Sequence, residues 1–548
     1  MKVTISLSLA LLACAGAAAA PVEVEHPVYD FLHRLEQKGV VRGGFQGIRP
    51  WSRESILKLL RTAEADSARL GGWDAGKLKG FLGEFDPERR RAATRLRLED
   101  GDFQVIGGAR FRNGAYWLDS IPRPQIYYFG SFEPWMDAEW RDLYLLTAAF
   151  VGTERSVAPR FTETYFPERG LPYNTNREGK IGLPQRVSTF DGYRSVLGWA
   201  GGPVRIEGGQ DWNRFGPGHW QNAMLGSRGW FWSQDSQPVS ESIRFPGLAL
   251  EERYRRGYRM PGEAAPMPQI RMGLQAGQFS YVKVVAQRDG YVDGGLATLV
   301  VHRLEWRALP TLSLGGTEMV ALGGRVPDPV YWIPFVPLKF QEHQARGKDN
   351  TALSADIQWT LRGFGRVYGE WMLDDFSGPP FDFWGNKFAW TLGGEWQDPA
   401  GFPAILRAEY SRVDPWVTNH HLPDRQLQHA GALLGTSLPP NSRAFHFQAV
   451  TPLWRGLDLS LEYAWRIRDL AALGSSTFEV HVPGVGETKV FDADRAEQRH
   501  QAFAVVEGEW KRYVSGRLGL GFLAVERWKG SDKELASPAA FAEATFRY

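Results

Sequence analysis

The chain has 548 residues, a formal net charge of +2 and a single cysteine, Cys14. A charge so close to neutral provides no basic field for nucleic acid, and one cysteine cannot form an intramolecular disulfide framework. After the first 19 residues no apolar run approaches the roughly 20 residues that a membrane-spanning helix needs, which excludes a helical membrane protein but leaves a β-barrel open.

Residues 1–19 are typical of an export signal peptide. Lys2 provides the positive start, an apolar stretch follows, and a run of alanines supplies the small residues that a signal peptidase recognises. We therefore expect the mature chain to start near Ala20 and to contain no cysteine. The alternative is a lipoprotein box in the letters LLAC, in which Cys14 would be the lipidated residue.

Residues 20–97 are predicted to form a small helical bundle. The stretch PVYDFLHRLEQKG carries its apolar residues at helical spacing and ends at a glycine. Ser52 suits the N-cap of a second helix, SRESILKLL, and DAGKLKGFLGEF predicts a third. The stretch DPERRRAATRLRLED, with Asp86 and Pro87 at its start, predicts a fourth.

From residue 98 to residue 548 the pattern is that of β-strands. Segments of roughly 8 to 12 residues alternate apolar and polar side chains, and clusters of Gly, Pro, Asn and Asp separate them. In RVYGEWMLD the apolar face carries Val367 and Trp371, and in DLSLEYAWRI it carries Leu459 and Leu461. The polar faces of these two strands carry the residues that we predict to face a lumen, which are Arg366, Glu370, Asp374, Asp458, Glu462 and Arg466.

Strands of this kind fit either a soluble sandwich or a membrane barrel. The barrel is favoured because the polar faces mix both signs of charge, because tryptophans lie near strand ends, and because the series runs on without a domain break. We therefore predict an all-β transmembrane antiparallel barrel in the outer membrane of a Gram-negative bacterium, in contact with outer-membrane lipid. Such barrels have even strand counts, and the length of the series indicates about 18 strands.

The last segment, FAEATFRY, predicts the strand that closes the barrel. Ala542, Ala544, Phe546 and Tyr548 share one face of this segment, which would touch lipid. Closure requires the last strand to pair with the first, because an open edge is not tolerated in a bilayer. The segment also resembles the C-terminal strand of outer-membrane proteins, whose terminal aromatic residue is recognised by the barrel-assembly machinery, although here that residue is Tyr rather than the commoner Phe.

Motifs for catalysis and metal binding are weak. GGWDAGKL has the glycine and lysine spacing of a phosphate loop, but Leu78 stands where Ser or Thr would bind magnesium, and no strand precedes it. His420 and His421 lie in a Pro-bounded loop and are predicted to be a solvated pair. His446 could join a barrel-hydrolase site, for which the sequence gives no local sign. We expect no enzyme activity, no catalytic residue, no metal and no cofactor.

The densest stretch of aromatic and polar residues is GGQDWNRFGPGHW, residues 208–220. Its Trp212, Arg214, His219 and Trp220 surround glycines that permit tight turns. Aromatic rings beside planar hydrogen-bonding groups can grip a sugar, because rings stack on pyranose faces while polar groups bond the hydroxyls. The alternative is a constriction loop that packs inside the barrel.

This stretch also carries a family resemblance. GPVRIEGGQDWNRFGPG, ESIRFPGLAL, HRLEWRALPTLSLGGTE and YGEWMLDDF, together with LEQKGVV and RPWSRESILKLL near the start, resemble the Wzi family of outer-membrane capsule-assembly proteins. The resemblance spans essentially the whole mature chain. It implies a barrel of about 18 strands with a periplasmic helical bundle, and a lectin role that holds capsular polysaccharide at the cell surface.

The resulting hypothesis is a surface anchor that binds extracellular polysaccharide through its outer loops. Trp332, Trp384 and Trp416 are candidate stacking platforms because each lies in a Pro- or Gly-rich connection. The alternative is an outer-membrane channel for export or uptake of saccharides or other solutes. A third hypothesis concerns the helical part alone, which is weakly similar to S-layer-homology modules that bind cell-wall polymer.

Overall fold

The structure is a computed structural model. It describes residues 20–547 except for 87–88, 90–95, 119–124, 157–185, 227–265, 289–296, 345–348, 377, 380–382, 430–431, 436–437, 455, 470–471, 476–483, 485–486, 511–512 and 528–533. The predicted export signal, most of the predicted fourth helix and Tyr548 lie outside the described residues.

Within the described residues, 18 antiparallel strands close into one barrel. In chain order they are β1 (Phe103–Leu118), β2 (Gln125–Trp140), β3 (Leu143–Ser156), β4 (Arg186–Gly201), β5 (Val204–Asp211), β6 (Met267–Ala276), β7 (Phe279–Arg288), β8 (Ala297–Leu309), β9 (Leu312–Gly323), β10 (Asn350–Leu361), β11 (Gly365–Asp375), β12 (Lys387–Gln397), β13 (Ile405–Val413), β14 (Ser442–Trp454), β15 (Leu457–Arg468), β16 (Glu497–Trp510), β17 (Val514–Glu526) and β18 (Leu535–Arg547). The predicted barrel is confirmed.

The barrel is closed by its first and last strands, as the terminal segment predicted. β18 pairs with β1 from Ala539 opposite Leu118 to Arg547 opposite Arg110. Tight connections such as 140–143, 201–204, 276–279 and 309–312 join strands at one end, which we call the short-turn end. The opposite end, where connections such as 211–267 and 323–350 lie, is the long-loop end.

The side chains alternate between the two faces of the wall. On β11, Arg366 and Glu370 are buried, whereas Val367 and Trp371 are each 46% exposed. Successive residues of a strand point to opposite faces, so the buried set faces inward and the exposed set faces outward. Outward tryptophans occur near the strand ends, namely Trp140, Trp199, Trp306, Trp359, Trp371, Trp396, Trp454 and Trp510, as interfacial girdles require.

A pair of lysine substitutions on β15 tests this assignment of faces. Leu461 is outward and lies four residues above the short-turn end of its strand, so Leu461→Lys is expected to cost about 2–4 kcal/mol of folding free energy near the bilayer midplane. Ser460→Lys, on the inner face between Asp458 and Glu462, is expected to cost much less because both carboxylates can pair with the ammonium. Denaturant titration of both variants in lipid vesicles measures the difference. Equal costs would mean that the two faces have been misassigned.

The N-terminal part, residues 20–86, contains three helices and is called here the helical segment. They are α1 (Val28–Gln37), α2 (Arg53–Ala65) and α3 (Gly72–Phe85). Ser52 is the N-cap of α2, since its hydroxyl accepts a hydrogen bond from the backbone N–H of Ser55 at 3.1 Å. The helices share an apolar core that includes Leu32, Leu60 and Leu82.

The helical segment packs against the short-turn end of the barrel. The backbone N–H of Gly363, in the turn between β10 and β11, donates to the carbonyl of Gln37 at 2.7 Å. The residues that follow α3 differ from the prediction, because Leu96–Asp100 is already a strand and pairs with the start of β1. The alternating letters LRLED allow this pairing, and the helical part therefore ends before residue 96.

Candidate functional site: the barrel interior

Buried ion pairs join the helical segment to the inner wall. The Arg34 guanidinium lies 2.6 Å from Asp74 of α3 and 2.7 Å from Asp398 in the turn after β12, and it also donates to Gln397. Lys38 reaches the same two carboxylates at 2.5 and 2.6 Å. Because Arg34 and Asp74 are almost fully buried, these contacts fix α1 and α3 across the mouth of the barrel.

The chain after α1 enters the lumen itself. The backbone N–H of Gly47 donates to the Glu305 carboxylate of β8 at 3.1 Å. The next two residues, Ile48–Arg49, pair as a short antiparallel strand with Arg214–Phe215. Beside them the fully buried Arg303 forms a two-pronged ion pair with Asp356, at 2.5 and 3.0 Å. This part of the interior is therefore filled with ordered protein.

Residues 212–226 follow β5 and fold inward, and we call them the inner loop. A single carboxylate, Glu409 of β13, holds its tip. Glu409 accepts hydrogen bonds from the backbone N–H groups of His219 at 2.7 Å, Trp220 at 3.2 Å and Gln221 at 2.8 Å. The hydroxyl of Tyr368 donates to it at 2.7 Å. A fully buried carboxylate with four donors is a strong anchor.

The side chain of Arg214 closes the inner loop on itself. Its guanidinium donates to the side chain of Asn222 at 2.7 Å, to the carbonyl of His219 at 2.9 Å and to the carbonyl of Gly218. It also lies 3.5 Å from Glu25 of the helical segment. Arg214 and His219 are both buried, so in this arrangement they hold the loop in place. The alternative of a packed constriction loop describes this geometry better than an open sugar site.

The predicted lumen-facing residues of β11 lie on its buried face. Arg366 forms an ion pair with Glu395 of β12 at 2.5 Å. Glu370 accepts from the backbone N–H of Ala223 in the inner loop at 3.0 Å, and Asp374 accepts from that of Thr418 at 2.9 Å. Each of the three therefore binds another element of the interior.

The predicted residues of β15 lie nearer the helical segment. The Asp458 carboxylate accepts from the indole N–H of Trp73 at 2.9 Å and pairs with Lys77 at 2.6 Å. Glu462 accepts from the hydroxyl of Ser460 at 3.1 Å and from the amide of Gln448 at 3.2 Å. Arg466 is buried near the long-loop end of the strand.

One half of the interior is apolar and packed. The inner faces of β7 to β14 meet residues of the inner loop and of the connection between β13 and β14 in one cluster of buried side chains. Its members are Ile48, Phe215, Ala223, Met224, Leu225, Met267, Val282, Val284, Ala286, Leu299, Val301, Met319, Ala321, Ala352, Met372, Ala389, Val413, Val417, Leu427, Leu434, Leu438 and Ala444. The described residues of this cluster are packed against one another as in a protein core.

The other half of the interior holds a cavity of about 1960 Å³. It lies between the helical segment and the inner faces of β1 to β4 and β16 to β18, and Arg112, Glu133 and Arg517 are among the charged residues that line it. Glu23 of the helical segment also lines it and lies 2.5 Å from Arg110 of β1. Burial raises the pKa of Glu23, but Arg110 and two further arginines nearby together more than reverse this effect, so the pKa lies well below its ordinary value.

The remaining predicted tryptophans are in different surroundings. Trp212 is half-buried and lines the cavity, and Trp220 is half-buried with its ring 5.1 Å from that of His446. Trp416 is 2% exposed and packs on Gly474, so its ring has no free face for a sugar. Trp384 is half-buried at the long-loop end, with its ring 5.8 Å from that of Phe383. Trp332 is 38% exposed and lies in the connection between β9 and β10.

Sequence patterns alone do not single out the residues that organise the interior. Tyr368, Glu395 and Glu409 are polar residues on the inner faces of three successive strands, and their sequence pattern is the same as that of other inward residues. The position of the two glutamates does give a signal, because a carboxylate in the middle of an inner face requires a hydrogen-bonding or charged partner. The partner of Glu409 lies 188 to 190 residues away in the chain, which no local pattern indicates.

His420 is half-buried and His421 is exposed in the connection between β13 and β14. Their rings lie 4.1 Å apart, and the backbone N–H of Leu422 donates to His420 Nδ1 at 3.0 Å. Burial, followed by the neighbouring His421, lowers the pKa of His420 to about 3. Within the described part of the chain, no group of three or more His, Cys, Asp or Glu side chains is arranged to hold a metal ion.

His33 of α1 predicts a pH dependence of the helical segment. The imidazole is fully buried and neither ring nitrogen has a hydrogen-bond partner among the described residues. Burial, followed by Arg366 and Arg49, lowers its pKa well below 6.5. His33 therefore binds a proton more readily in the unfolded segment than in the folded one. The stability that its neutral, buried form contributes is complete above pH 6.5 and is lost as the pH falls below that value.

We therefore expect hydrogen exchange in residues 28–37 to speed up between pH 7.5 and pH 5, after correction for the intrinsic rate. His33→Gln fills the same space without a titrating group and should remove that part of the dependence. An unchanged pH profile in this variant would show that His33 is not responsible.

Comparison with solved structures places the fold among outer-membrane barrels. Wzi of Escherichia coli, described as an outer-membrane, carbohydrate-binding β-barrel involved in group 1 capsule assembly, is 14% identical over 97% of this chain and 99% of that chain, with a TM-score of 0.57. OccAB1 of Acinetobacter baumannii is 8% identical over 83% of this chain and 98% of that chain, with a TM-score of 0.44. OprD of Pseudomonas aeruginosa, with the same identity and coverage, has a TM-score of 0.39.

No protein-family model and no curated protein sequence matches the chain. None of the described helices combines the length and the apolar character needed to cross a membrane. The similarity to Wzi is distant in sequence and extends over the full length of both chains, so it supports the fold. The fold of the chain is accordingly that of a closed antiparallel β-barrel.

Proposed function

We propose that this protein binds capsular or other extracellular polysaccharide and anchors it at the cell surface, as a member of the Wzi family. The observation that carries the proposal is the filled half of the lumen, where the inner loop and the helical segment replace the water of an open pore. A barrel obstructed in this way offers its outer loops for function. The full-length likeness to a carbohydrate-binding barrel supports the same conclusion.

The orientation follows from the connections. Bacterial barrels have short periplasmic turns and longer extracellular loops, so we place the short-turn end and the helical segment in the periplasm. We also propose that the C-terminal strand engages the barrel-assembly machinery during insertion. The sugar-binding surface then lies at the long-loop end.

Trp384 is the best-placed candidate for stacking on a sugar. It lies between β11 and β12 beside Phe383, and Phe376 in the same connection is also exposed. Rings of this kind present flat apolar faces to pyranoses. Trp212 and Trp220 are candidates at the edge of the cavity and the inner loop, whereas Arg214, His219 and Trp416 act through the loops that they hold.

Binding is measured directly with the purified protein and the host's own polysaccharide. One stacking contact contributes only about 1 kcal/mol, so the affinity for short fragments should be weak and should rise with polymer length through multivalency. Trp384→Ala should weaken binding about fivefold, since each 1.4 kcal/mol is tenfold. Trp359→Ala, in the outward girdle at the short-turn end, is the control and should bind as the parent does. Absence of binding at every polymer length would reject the proposal.

The cavity is the observation that favours the alternative of a channel. It is lined by charged groups and lies beside the short-turn end, where an uptake or export path would need to open. Conductance in a planar bilayer separates the two functions. A closed or poorly conducting barrel agrees with an anchor, whereas steady conductance that a saccharide blocks would establish the channel.

A further inference from the structure

The connection between β9 and β10 folds over the outside of the barrel. It contains a short 3-10 turn, Pro329–Trp332, and a helix, α4 (Leu338–Gln344). We call residues 329–344 the outer strap. Tyr331 and Leu338 of the strap are fully buried against Val285, Val300 and Val320, which belong to β7, β8 and β9.

The strap lies on the outer face because its contacts are on the face opposite the lumen. On β8, Arg303 and Glu305 point inward to Asp356 and to Gly47 of the helical segment. His302 alternates with them and so points outward. Its cross-strand neighbours, Lys283 of β7 and Glu318 of β9, share that outer face.

These outward residues are polar, and the strap satisfies them. Lys283 Nζ donates to the carbonyl of Ile333 at 2.7 Å, and the Glu318 carboxylate accepts from the backbone N–H groups of Leu338 at 2.7 Å and Lys339 at 2.6 Å. His302 Nε2 lies 2.8 Å from the same carboxylate.

The hydroxyl of Tyr281, also on the outer face, accepts from the backbone N–H of Phe335 at 2.9 Å. An unpaired charge on the lipid side would be costly, so the strap converts a polar patch of wall into a satisfied one.

The patch lies at the depth of the hydrocarbon. Phe279 and Trp306 stack at 6.0 Å on the outer face at the short-turn end and mark one interface. Lys283 is four residues further along β7, which is about 13 Å along the strand and about 10 Å along the membrane normal at the usual strand tilt. The apolar band of such barrels is about 25 Å tall. Lys283 and the strap that covers it therefore lie inside that band.

The exposed surface of the strap carries mostly apolar side chains, although His343 and Gln344 at its C-terminal end are also exposed. Ile333 is 53% exposed, Phe335 is 59% and Phe340 is 67%, and Trp332 also lies on this surface. This surface continues the exposed outer wall formed by Leu304 and Trp306 on β8. We propose that the strap is embedded in the hydrocarbon of the bilayer and that these four side chains contact the acyl chains. Trp332 is then a membrane anchor and not a sugar platform.

Spin labelling tests this proposal on the full-length protein in lipid vesicles. In a Cys14→Ser background, single nitroxides are attached at Phe340→Cys, at Leu520→Cys on the outer wall of β17, and at Phe402→Cys in the turn after β12. The last two are controls for lipid and for water, and both native side chains are highly exposed. Slower gel migration after boiling verifies that each labelled barrel is folded.

The ratio of collision with oxygen to collision with a water-soluble nickel chelate is then measured. We expect the ratio at position 340 to match that at position 520 and to exceed that at position 402 several-fold. A ratio close to that at position 402 would overturn the proposal, and Trp332 would then belong to the loops that are exposed to water. Dipolar broadening between labels at position 340 on different barrels would also overturn it, because a second copy of the chain would then cover the strap.

Discussion

Replacing Glu409 with alanine is expected to lower the free energy of unfolding by about 3–5 kcal/mol, because four donors lose a buried acceptor at once. Three of these donors are successive backbone N–H groups of the inner loop, at residues 219–221, and the fourth is the Tyr368 hydroxyl. The loop should therefore leave its position in the lumen.

Two measurements detect whether the inner loop leaves the lumen in the Glu409→Ala variant. Hydrogen exchange in residues 212–226 should become fast while exchange in the strands stays slow, and the mean conductance in a planar bilayer should rise above that of the parent. Glu409→Gln is the matched control, since one amide oxygen still accepts hydrogen bonds, and its effects should be smaller than those of the alanine variant. A Glu409→Ala barrel with unchanged stability, exchange and conductance would show that the carboxylate does not hold the loop.

Replacing Arg34 with methionine is expected to release the helical segment from the barrel at a cost of about 3–5 kcal/mol. The substitution keeps an unbranched apolar stem and removes the charge that Asp74 and Asp398 share. Asp74 is almost fully buried, and only Lys38 would remain to compensate it. Limited proteolysis and hydrogen exchange should then detect opening of residues 20–86 while the strands stay protected.

Arg69→Met is the control for that experiment. Arg69 also forms an ion pair with an aspartate, Asp66, at 2.7 Å, but both side chains are exposed to solvent. Exposed pairs of this kind contribute about 0–1 kcal/mol, so this variant should behave as the parent does. If both substitutions had the same small effect, the buried cluster would not be what holds α1 and α3 at the mouth of the barrel.

The barrel was predictable from the sequence because its signal is local. Alternation with a period of two residues assigns a face to each side chain, and it placed Arg366 and Glu370 opposite Val367 and Trp371, where the structure has them. Closure was also predictable, because a bilayer does not tolerate a free strand edge and only the last strand was available to pair with the first.

The filling of the lumen was not predictable, because its contacts join distant parts of the chain. Gly47 meets Glu305, and His219 meets Glu409, across 258 and 190 residues respectively. Periodicity assigns a side chain to the inner face but gives no information about which segment lies opposite. The apolar pattern of the helical segment likewise predicts the core that its own helices share. It gives no information about the ion pairs that join the segment to the turns of the barrel.

A local sequence pattern does indicate the outer strap. Lys283, His302 and Glu318 are polar residues at outward positions of strands whose outward residues are mostly apolar. In a lipid-facing wall such positions require a cover. Their cross-strand alignment in three successive strands points to one covering segment rather than three separate exceptions.

The most direct test of the proposed anchor compares polymer retained on the cell surface with polymer released into the medium, with and without the gene. The account predicts that cells lacking the protein make the same total amount of polysaccharide, that the surface-bound fraction falls, and that the released fraction rises by the same amount. Restoring the parent gene should reverse the shift. Loss of polymer synthesis or export in the same cells would contradict the account and establish the channel, and an unchanged distribution would contradict the anchor itself.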